Sequence, residues 1–157
     1  MAHPIGESDT GIDFIEIGDL DGDGWLDVLA VTQGDNLLKW FRRPADPAAQ
    51  DFPWEVFNMV QYSSLTPTAV DIADVDLNGW EDVVAVAAGR IRWFTPLGQS
   101  PYDPWSEVYV ADDTTSEVNS VHAVDIDGDG RMDIIATLDR PGVDEDALVW
   151  FHNEPVE

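Results

Sequence analysis

Asp19-Leu20-Asp21-Gly22-Asp23-Gly24-Trp25-Leu26-Asp27 is the first of three copies of one nine-residue pattern. The second copy runs from Asp74 to Asp82 and the third from Asp125 to Asp133. Every copy has an oxygen-bearing side chain at positions 1, 3, 5 and 9 and a glycine at position 6. These side chains belong to Asp19, Asp21, Asp23 and Asp27, to Asp74, Asp76, Asn78 and Asp82, and to Asp125, Asp127, Asp129 and Asp133.

This spacing is typical of a loop that binds a hard cation. Ca²⁺ takes about six to eight oxygen ligands, and alternate residues of a tight loop can turn their carboxylates inward where a glycine permits the sharp turn. Mg²⁺ fits less well, because it demands octahedral geometry and retains its water ligands. We therefore predict up to three structural Ca²⁺ ions. Position 7 would add a backbone carbonyl ligand, from Trp25, Trp80 and Arg131.

The loops differ from EF-hands, which close with a glutamate at position 12. The residues at that position are here alanines: Ala30, Ala85 and Ala136. The aspartate at position 9 must close the loop instead, so no flanking helices are needed. The alternative is that Asp, Asn and Gly serve only as turn formers, but three copies with the same ligand positions favour metal binding. Since Asn78 replaces an acid, the second loop is predicted to bind most weakly.

Composition indicates one folded domain with an acidic surface. The chain has 157 residues, 44% of them hydrophobic, and a formal net charge of −25. Such a charge argues against nucleic acid and anionic membranes as partners. There is no cysteine, which excludes a disulfide framework and a thiol nucleophile, and no apolar run is long enough for membrane insertion. No export signal is recognised before the first loop, so either the protein is cytosolic or its export signal lies outside this sequence. Because weak calcium loops fill best where calcium is millimolar, we expect an extracellular or periplasmic location.

The loops recur at spacings of 55 and 51 residues, a period typical of propellers and solenoids. Each period predicts four strands: one before the loop, an apolar one after it, one that ends in Trp-Phe, and one after Pro-Trp. This is the plan of a β-propeller blade. The predicted fold is all-β, a single domain over residues 1–157. Its blades cover residues 11–61, 62–113 and 114–157, and residues 1–10 form a partial outer strand that closes a blade.

Three blades are too few for a ring, since propellers have about four to eight. An isolated arc exposes two apolar faces, and such faces mark interfaces. Either two chains associate head to tail as a six-bladed homodimer, each donating its N-terminal strand, or the chain is a fragment of a longer propeller. We expect the homodimer. The Trp-Phe pairs are interpreted as packing between blades. His122, level with Glu16 and Asp71, is expected near the central channel.

The Asp-rich loop, the buried strand after it and the Trp-Phe pair resemble the FG-GAP/VCBS repeats of integrin-α-like β-propellers. The bacterial VCBS form is closer, because the Phe-Gly and Gly-Ala-Pro landmarks of integrins are absent. The resemblance covers nearly the whole chain. It implies propellers that are seven-bladed in many members, with Ca²⁺ bound between the first two strands of a blade by the twelve side chains named above.

Two classes of function remain open. The first is a non-catalytic binding or assembly module that recognises a carbohydrate or a protein, as adhesins and lectins do. The alternative is the propeller portion of a secreted carbohydrate-active enzyme, such as a polysaccharide lyase or a dehydratase. No Ser/His/Asp order, phosphate loop or zinc spacing is present, so no catalytic residue is predicted.

Overall fold

The computed structural model describes most of the chain. The described residues are 3–7, 11–32, 34, 36–46, 53–61, 67–87, 89–98, 103–112, 117–139 and 147–154. Within these ranges all regular structure is β-strand, and no helix has the length and hydropathy that a membrane span requires. The strands are β1 Phe14–Gly18, β2 Asp27–Thr32, β3 Leu37–Arg42, β4 Glu55–Gln61, β5 Pro67–Ala73, β6 Asp82–Ala87, β7 Arg90–Pro96, β8 Trp105–Asp112, β9 Glu117–Val124, β10 Asp133–Asp139 and β11 Ala147–Phe151.

The strands form three antiparallel sheets, one for each copy of the loop. Blade one has the order β1-β2-β3-β4, blade two β5-β6-β7-β8 and blade three β9-β10-β11. The predicted all-β fold of partial propeller blades is confirmed, and the three sheets do not close into a ring. The first strand begins at Phe14, and Asp13 N–H, just before it, donates to Val31 O at 3.1 Å.

The second strands of blades one and two are buried on both sides, as their continuous apolar sequences predict, whereas β10 alternates, with Thr137 and Asp139 exposed. In β6 all six residues from Asp82 to Ala87 are buried. Because side chains alternate between the two faces of a strand, each blade presents one set to the preceding blade and the other to the following blade. We call the surface towards the following blade the front face and the opposite surface the back face.

Two apolar clusters join the blades in series. The front face of blade one, with Leu29, Leu38 and Trp40, packs on the back face of blade two, with Val83 and Phe94. The front face of blade two packs in the same way on the back face of blade three, through Val84, Ile91 and Trp93 on one side and Ile134 and Phe151 on the other. The two rings of a pair point to opposite sides of a blade. Both rings of blade two pack between blades, as predicted, and so do Trp40 of blade one and Phe151 of blade three.

The segment of residues 3–7 lies outside the strands and against blade one. Ile5 O accepts a hydrogen bond from Trp54 N–H at 2.7 Å, and a Cβ added to Gly6 would collide with the ring of Phe41. The predicted role of residues 1–10 in closing a blade stays a prediction. The predicted blade boundaries near residues 62 and 113 border ranges outside the described residues.

Candidate metal centre

Each Asp-rich loop folds around the carboxylate at position 1. In the first loop Asp23 N–H and Gly24 N–H donate to Asp19 Oδ1 and Oδ2, at 3.0 and 2.8 Å. In the second loop Asn78 N–H and Gly79 N–H donate to Asp74 at 3.0 and 2.9 Å. The glycine at position 6 is required, because its φ is between 85° and 90° in all three loops, where a side chain would be strained.

The third loop repeats this arrangement with one shift. Asp125 Oδ1 accepts from Gly128 N–H at 2.8 Å, and Asp125 Oδ2 accepts from Gly130 N–H at 3.0 Å. The fold of the loop is thus set by its own carboxylate and backbone, as the turn-former alternative also requires. What that alternative does not explain is the aspartate at position 9, which lies outside the turn.

The aspartate at position 9 begins the second strand of each blade and is buried. From there its carboxylate meets those of positions 1 and 3, with ligand atoms within 4.8 Å of one another. Such a group is an oxygen-rich centre of the kind that a hard cation prefers. We call these groups the acidic triads. Their members are Asp19, Asp21 and Asp27, then Asp74, Asp76 and Asp82, then Asp125, Asp127 and Asp133.

The predicted ligand at position 5 lies outside the acidic triads, although Asp129 forms a separate group with Asp127 and His152 that could hold a metal ion. One oxygen of each position-5 side chain accepts the N–H of the position-7 residue: Asp23 Oδ1 from Trp25 at 2.9 Å, and Asp129 Oδ1 from Arg131 at 2.8 Å. Asn78 Oδ1 does the same in the second loop, at 2.8 Å from the N–H of the position-7 residue. A role of position 5 and of the position-7 carbonyls as ligands stays a prediction.

The tryptophan of the Trp-Phe pair reaches the position-9 aspartate of its own blade, a contact that sequence reasoning missed. Trp40 Nε1 donates to Asp27 Oδ2 at 2.9 Å, and both residues are buried. The indole of Trp150 likewise lowers the pKa of Asp133 through a hydrogen bond. In blade two the indole of Trp93 lowers the pKa of Asp82, but the contact is looser, since Trp93 Nε1 has no partner of good geometry.

The residue after each Trp-Phe pair lies over the loop and contacts position 3. Arg42 pairs with Asp21, and its Nη2 lies 3.3 Å from Asp23 Oδ2. In blade three His152 Nε2 lies 3.0 Å from Asp127 Oδ2. In blade two Thr95 Oγ1 donates to Asp76 Oδ2 at 3.2 Å. The first and third loops thus face a basic side chain at this position, whereas the second faces a neutral hydroxyl.

The next residue decides how the position-9 carboxylate is satisfied. Arg43 N–H donates to Asp27 Oδ1 at 2.7 Å, and Asn153 N–H donates to Asp133 Oδ1 at 2.9 Å. The corresponding residue of blade two is Pro96, which has no N–H. Asp82 Oδ1 is accordingly buried without a hydrogen-bond partner among the described residues. A buried unpaired carboxylate oxygen is costly, and an ion in the triad would satisfy it.

The position-9 carboxylates of the first two triads resist ionisation. Burial raises the pKa of Asp27 to about 6, and the charges of Asp21 and Asp23 raise it further against the lowering effect of its hydrogen bonds. Burial likewise raises the pKa of Asp82 to about 6, with a contribution from Asp76. These shifts reflect negative charges held together away from water, which a cation would neutralise.

Asp133 behaves differently, because its pKa is lowered. Burial raises it, but hydrogen bonds from Asn153, Trp150 and Ile126, together with the charge of His152, lower it more. Asp133 is itself buried, yet it lies on the front face of blade three, which no other described blade covers. Water close to this face reduces the effect of burial.

Polar residues of the first strands of neighbouring blades lie close together, and their position near a central channel stays a prediction. His122 Nδ1 lies 3.5 Å from Asp71 Oδ2. Burial raises the pKa of Glu16, the charge of Asp71 raises it further, and that of His122 lowers it. Asp71 Oδ2 also accepts the N–H of Ala123 at 2.7 Å, which ties blade two to blade three.

Comparison with known protein families supports the internal repeat of the sequence. The family model described as FG-GAP-like repeat matches residues 19–85 and again residues 74–136. Each match begins at position 1 of an Asp-rich loop and ends after the next loop, and together they cover three quarters of the chain. No curated protein and no solved structure matches the chain. The predicted resemblance is confirmed at the level of the repeat, and the chain belongs to the FG-GAP-like repeat family.

Proposed function

We propose that the chain is a calcium-binding β-propeller module in which ions in the acidic triads stabilise the blades. The observation that supports this most directly is the threefold meeting of buried position-9 aspartates with two loop carboxylates within 4.8 Å. The unpaired Asp82 Oδ1 adds to it, because a buried oxygen without a donor suits a cation. FG-GAP-type repeats often bind calcium, which agrees with this donor set.

The residues of the chain would do two things around such an ion. The position-1 carboxylate shapes the turn through its backbone hydrogen bonds, as Asp19 does with Asp23 N–H at 3.0 Å. The position-9 carboxylate fixes the first residue of the second strand, where Trp40 and Arg43 hold Asp27. A bound Ca²⁺ would supply positive charge to both and so link the loop to the buried strand.

In this proposal the three loops have a different order of Ca²⁺ affinity from the one predicted from the sequence. Arg42 and His152 already lie against the first and third loops, so a cation must compete with them there. The second loop has Thr95 at this place and the unpaired oxygen of Asp82. It therefore binds most tightly, although Asn78 removes one acid.

Calorimetry tests the proposal. Scanning calorimetry in Ca²⁺ should show a higher Tm than in chelator, since ligand at about one hundred times its Kd stabilises a fold by about 2.7 kcal/mol. Isothermal titration should show saturable uptake with up to three sites, and Asp82→Ala should remove one of them. Asp139→Asn, which changes an exposed acid outside the triads, is the matched control and should leave the stoichiometry unchanged.

Two salt controls distinguish specific Ca²⁺ binding from general screening of the net charge of −25. NaCl at equal ionic strength should reproduce little of the Tm shift, and Mg²⁺ should reproduce less than Ca²⁺. If no heat of binding is found, or if NaCl raises Tm as much as Ca²⁺ does, the proposal is wrong.

We further propose that the module is non-catalytic and recognises a glycan or protein outside the cytosol, as adhesins and lectins do. Its support is indirect: FG-GAP-type repeats are typical of extracellular proteins, and calcium sites of modest affinity fill where calcium is millimolar. Binding to a glycan array without release of product would support recognition. Release of product from a polysaccharide would favour the alternative of a lyase-like or dehydratase-like enzyme.

A further inference from the structure

The two ends of the blade series expose residues that the internal repeat buries elsewhere. On the front face of blade three Leu148 is 75% exposed, whereas its counterpart in blade one, Leu38, is 0% exposed. Ile126 and Trp150 are also about half exposed, and their counterparts Leu20 and Trp40 are buried. The front face of blade three therefore has the composition of an interface but no neighbouring blade among the described residues.

The back face of blade one shows the complementary difference. Ile15 is 55% exposed, whereas its counterparts Val70 in blade two and Val121 in blade three are 5% and 1% exposed. Ile17 is exposed to the same degree as Ile15, although its counterpart Ile72 packs against blade one. The equivalent positions of blades two and three are each covered by the preceding blade. These two contacts show how another blade would pack on the back face of blade one.

The Asp-rich loops of the first and third blades also have residues that would fit together. Within the chain Trp80, at position 7 of the second loop, packs so closely on Gly22 of the first loop that a Cβ at Gly22 would lie 2.5 Å from the indole. The counterpart of Trp80 in the first loop is Trp25, which is exposed. The counterpart of Gly22 in the third loop is Gly128, where nothing lies within 4 Å of an added Cβ. One end thus has the aromatic ring and the other the open glycine.

The N-terminal segment supplies a third correspondence. On the back face of blade two, Trp105 packs beside Phe57 and Met59 of β4, the fourth strand of the preceding blade. On the back face of blade one the counterpart of Trp105 is Trp54, and residues 3–7 lie there, held by its N–H. The segment therefore occupies the place of a preceding fourth strand. Blade three has three described strands, and β11 forms the edge of its sheet.

We propose that two copies of this chain close head to tail into a six-bladed ring, the front face of blade three packing on the partner's back face of blade one. Residues 3–7 of each copy add a fourth strand along the free edge of the other copy's β11. The two contacts are equivalent by a twofold axis, so the assembly ends at two copies. This proposal does not depend on calcium, and its failure would leave the metal proposal unaffected.

The test is the mass of the 157-residue chain in solution, by light scattering at tens of micromolar. The expected mass is twice the chain mass of 17.4 kDa. Leu148→Lys and Ile15→Lys each place a charge on one proposed face and should halve the mass. Leu97→Lys is the matched control, because Leu97 is also exposed, at 63%, but lies in the turn after β7, away from both faces.

A mixing experiment separates loss of the interface from loss of folding. Leu148→Lys retains an intact back face and Ile15→Lys retains an intact front face, so an equimolar mixture should recover the doubled mass through one good contact. A wild-type chain that stays monomeric would overturn the proposal, as would a doubled mass that both variants retain. Assemblies that grow with concentration beyond two copies would overturn ring closure, since they indicate an open head-to-tail series.

Discussion

Replacing Pro96 by alanine changes one hydrogen bond in the buried part of the second triad. Pro96 occupies the place where Arg43 and Asn153 donate a backbone N–H to the position-9 carboxylate, at 2.7 and 2.9 Å. Alanine restores that N–H beneath Asp82 Oδ1, which has no partner among the described residues. We therefore expect Pro96→Ala to stabilise the protein in chelator, although proline-to-alanine changes in loops and strand ends usually destabilise.

The magnitude follows from two opposing effects. A hydrogen bond to a charged acceptor contributes about 1.5–3 kcal/mol. Loss of the proline ring frees the unfolded chain and costs about 0.4–1 kcal/mol. The free energy of unfolding in chelator should therefore rise by about 1–2 kcal/mol. In saturating Ca²⁺ the gain should be smaller, since an ion in the triad already satisfies Asp82 Oδ1.

Urea denaturation followed by circular dichroism measures this free energy. Pro104→Ala is the matched control, because Pro104 immediately precedes β8 and its ring is exposed. It should lose only the entropic contribution and so destabilise slightly. If Pro96→Ala is destabilised in chelator as much as Pro104→Ala, the unpaired oxygen is not a cost to the fold and the reasoning is refuted.

Three further predictions concern the loops. Leu77 has a φ of 59° at a position where the other loops have glycine. Leu77→Gly should therefore raise the urea midpoint by an amount equivalent to about 1 kcal/mol. An unchanged midpoint would show that the turn carries no strain. Arg42→Gln should tighten Ca²⁺ binding by the first loop about fivefold in a calorimetric titration, since competing with a part-exposed ion pair costs up to about 1 kcal/mol, and weaker binding would contradict this. In metal-free buffer the pKa of Asp27 and Asp82 is about 6 in the folded state and near 3.8 when unfolded. Between these two pKa values the folded state binds more protons than the unfolded state, so the free energy of unfolding should fall as pH rises from 4 to 7. The double variant Asp27→Asn/Asp82→Asn should flatten this dependence of stability on pH. The lowered pKa of Asp133 acts in the opposite direction.

The fold and the outline of the candidate site could be predicted because the sequence repeats its local signals. A loop of alternating acids followed by an apolar strand is specified by residues that are neighbours along the chain, and three copies distinguish this signal from chance. Positions 1, 3 and 9 meet as the spacing predicts. The same regularity explains why the strand order was predictable, since antiparallel neighbours follow one another along the chain.

The contacts that tune the site could not be predicted, because they come from a strand whose distance along the chain varies. The separation between the position-9 aspartate and the Trp-Phe pair differs in every blade, so no fixed spacing indicates that Trp40 reaches Asp27. The constant feature is the position after the pair, occupied by Arg42, Thr95 and His152. Once β3, β7 and β11 are known to lie beside the loops, that position supports an order of Ca²⁺ affinity that differs from the one a charge count of the loops predicts.

The indole held against Asp27 also gives the protein an optical property. Trp40 donates its ring N–H to a carboxylate of the first triad at 2.9 Å. The excited state of indole is sensitive to charge at its nitrogen, so a cation that enters the triad would alter the emission of this ring. A luminescent lanthanide in the same place would receive energy from it. Trp150 stands in the same relation to Asp133, so the chain contains an intrinsic spectroscopic probe for the first and third loops without any added label.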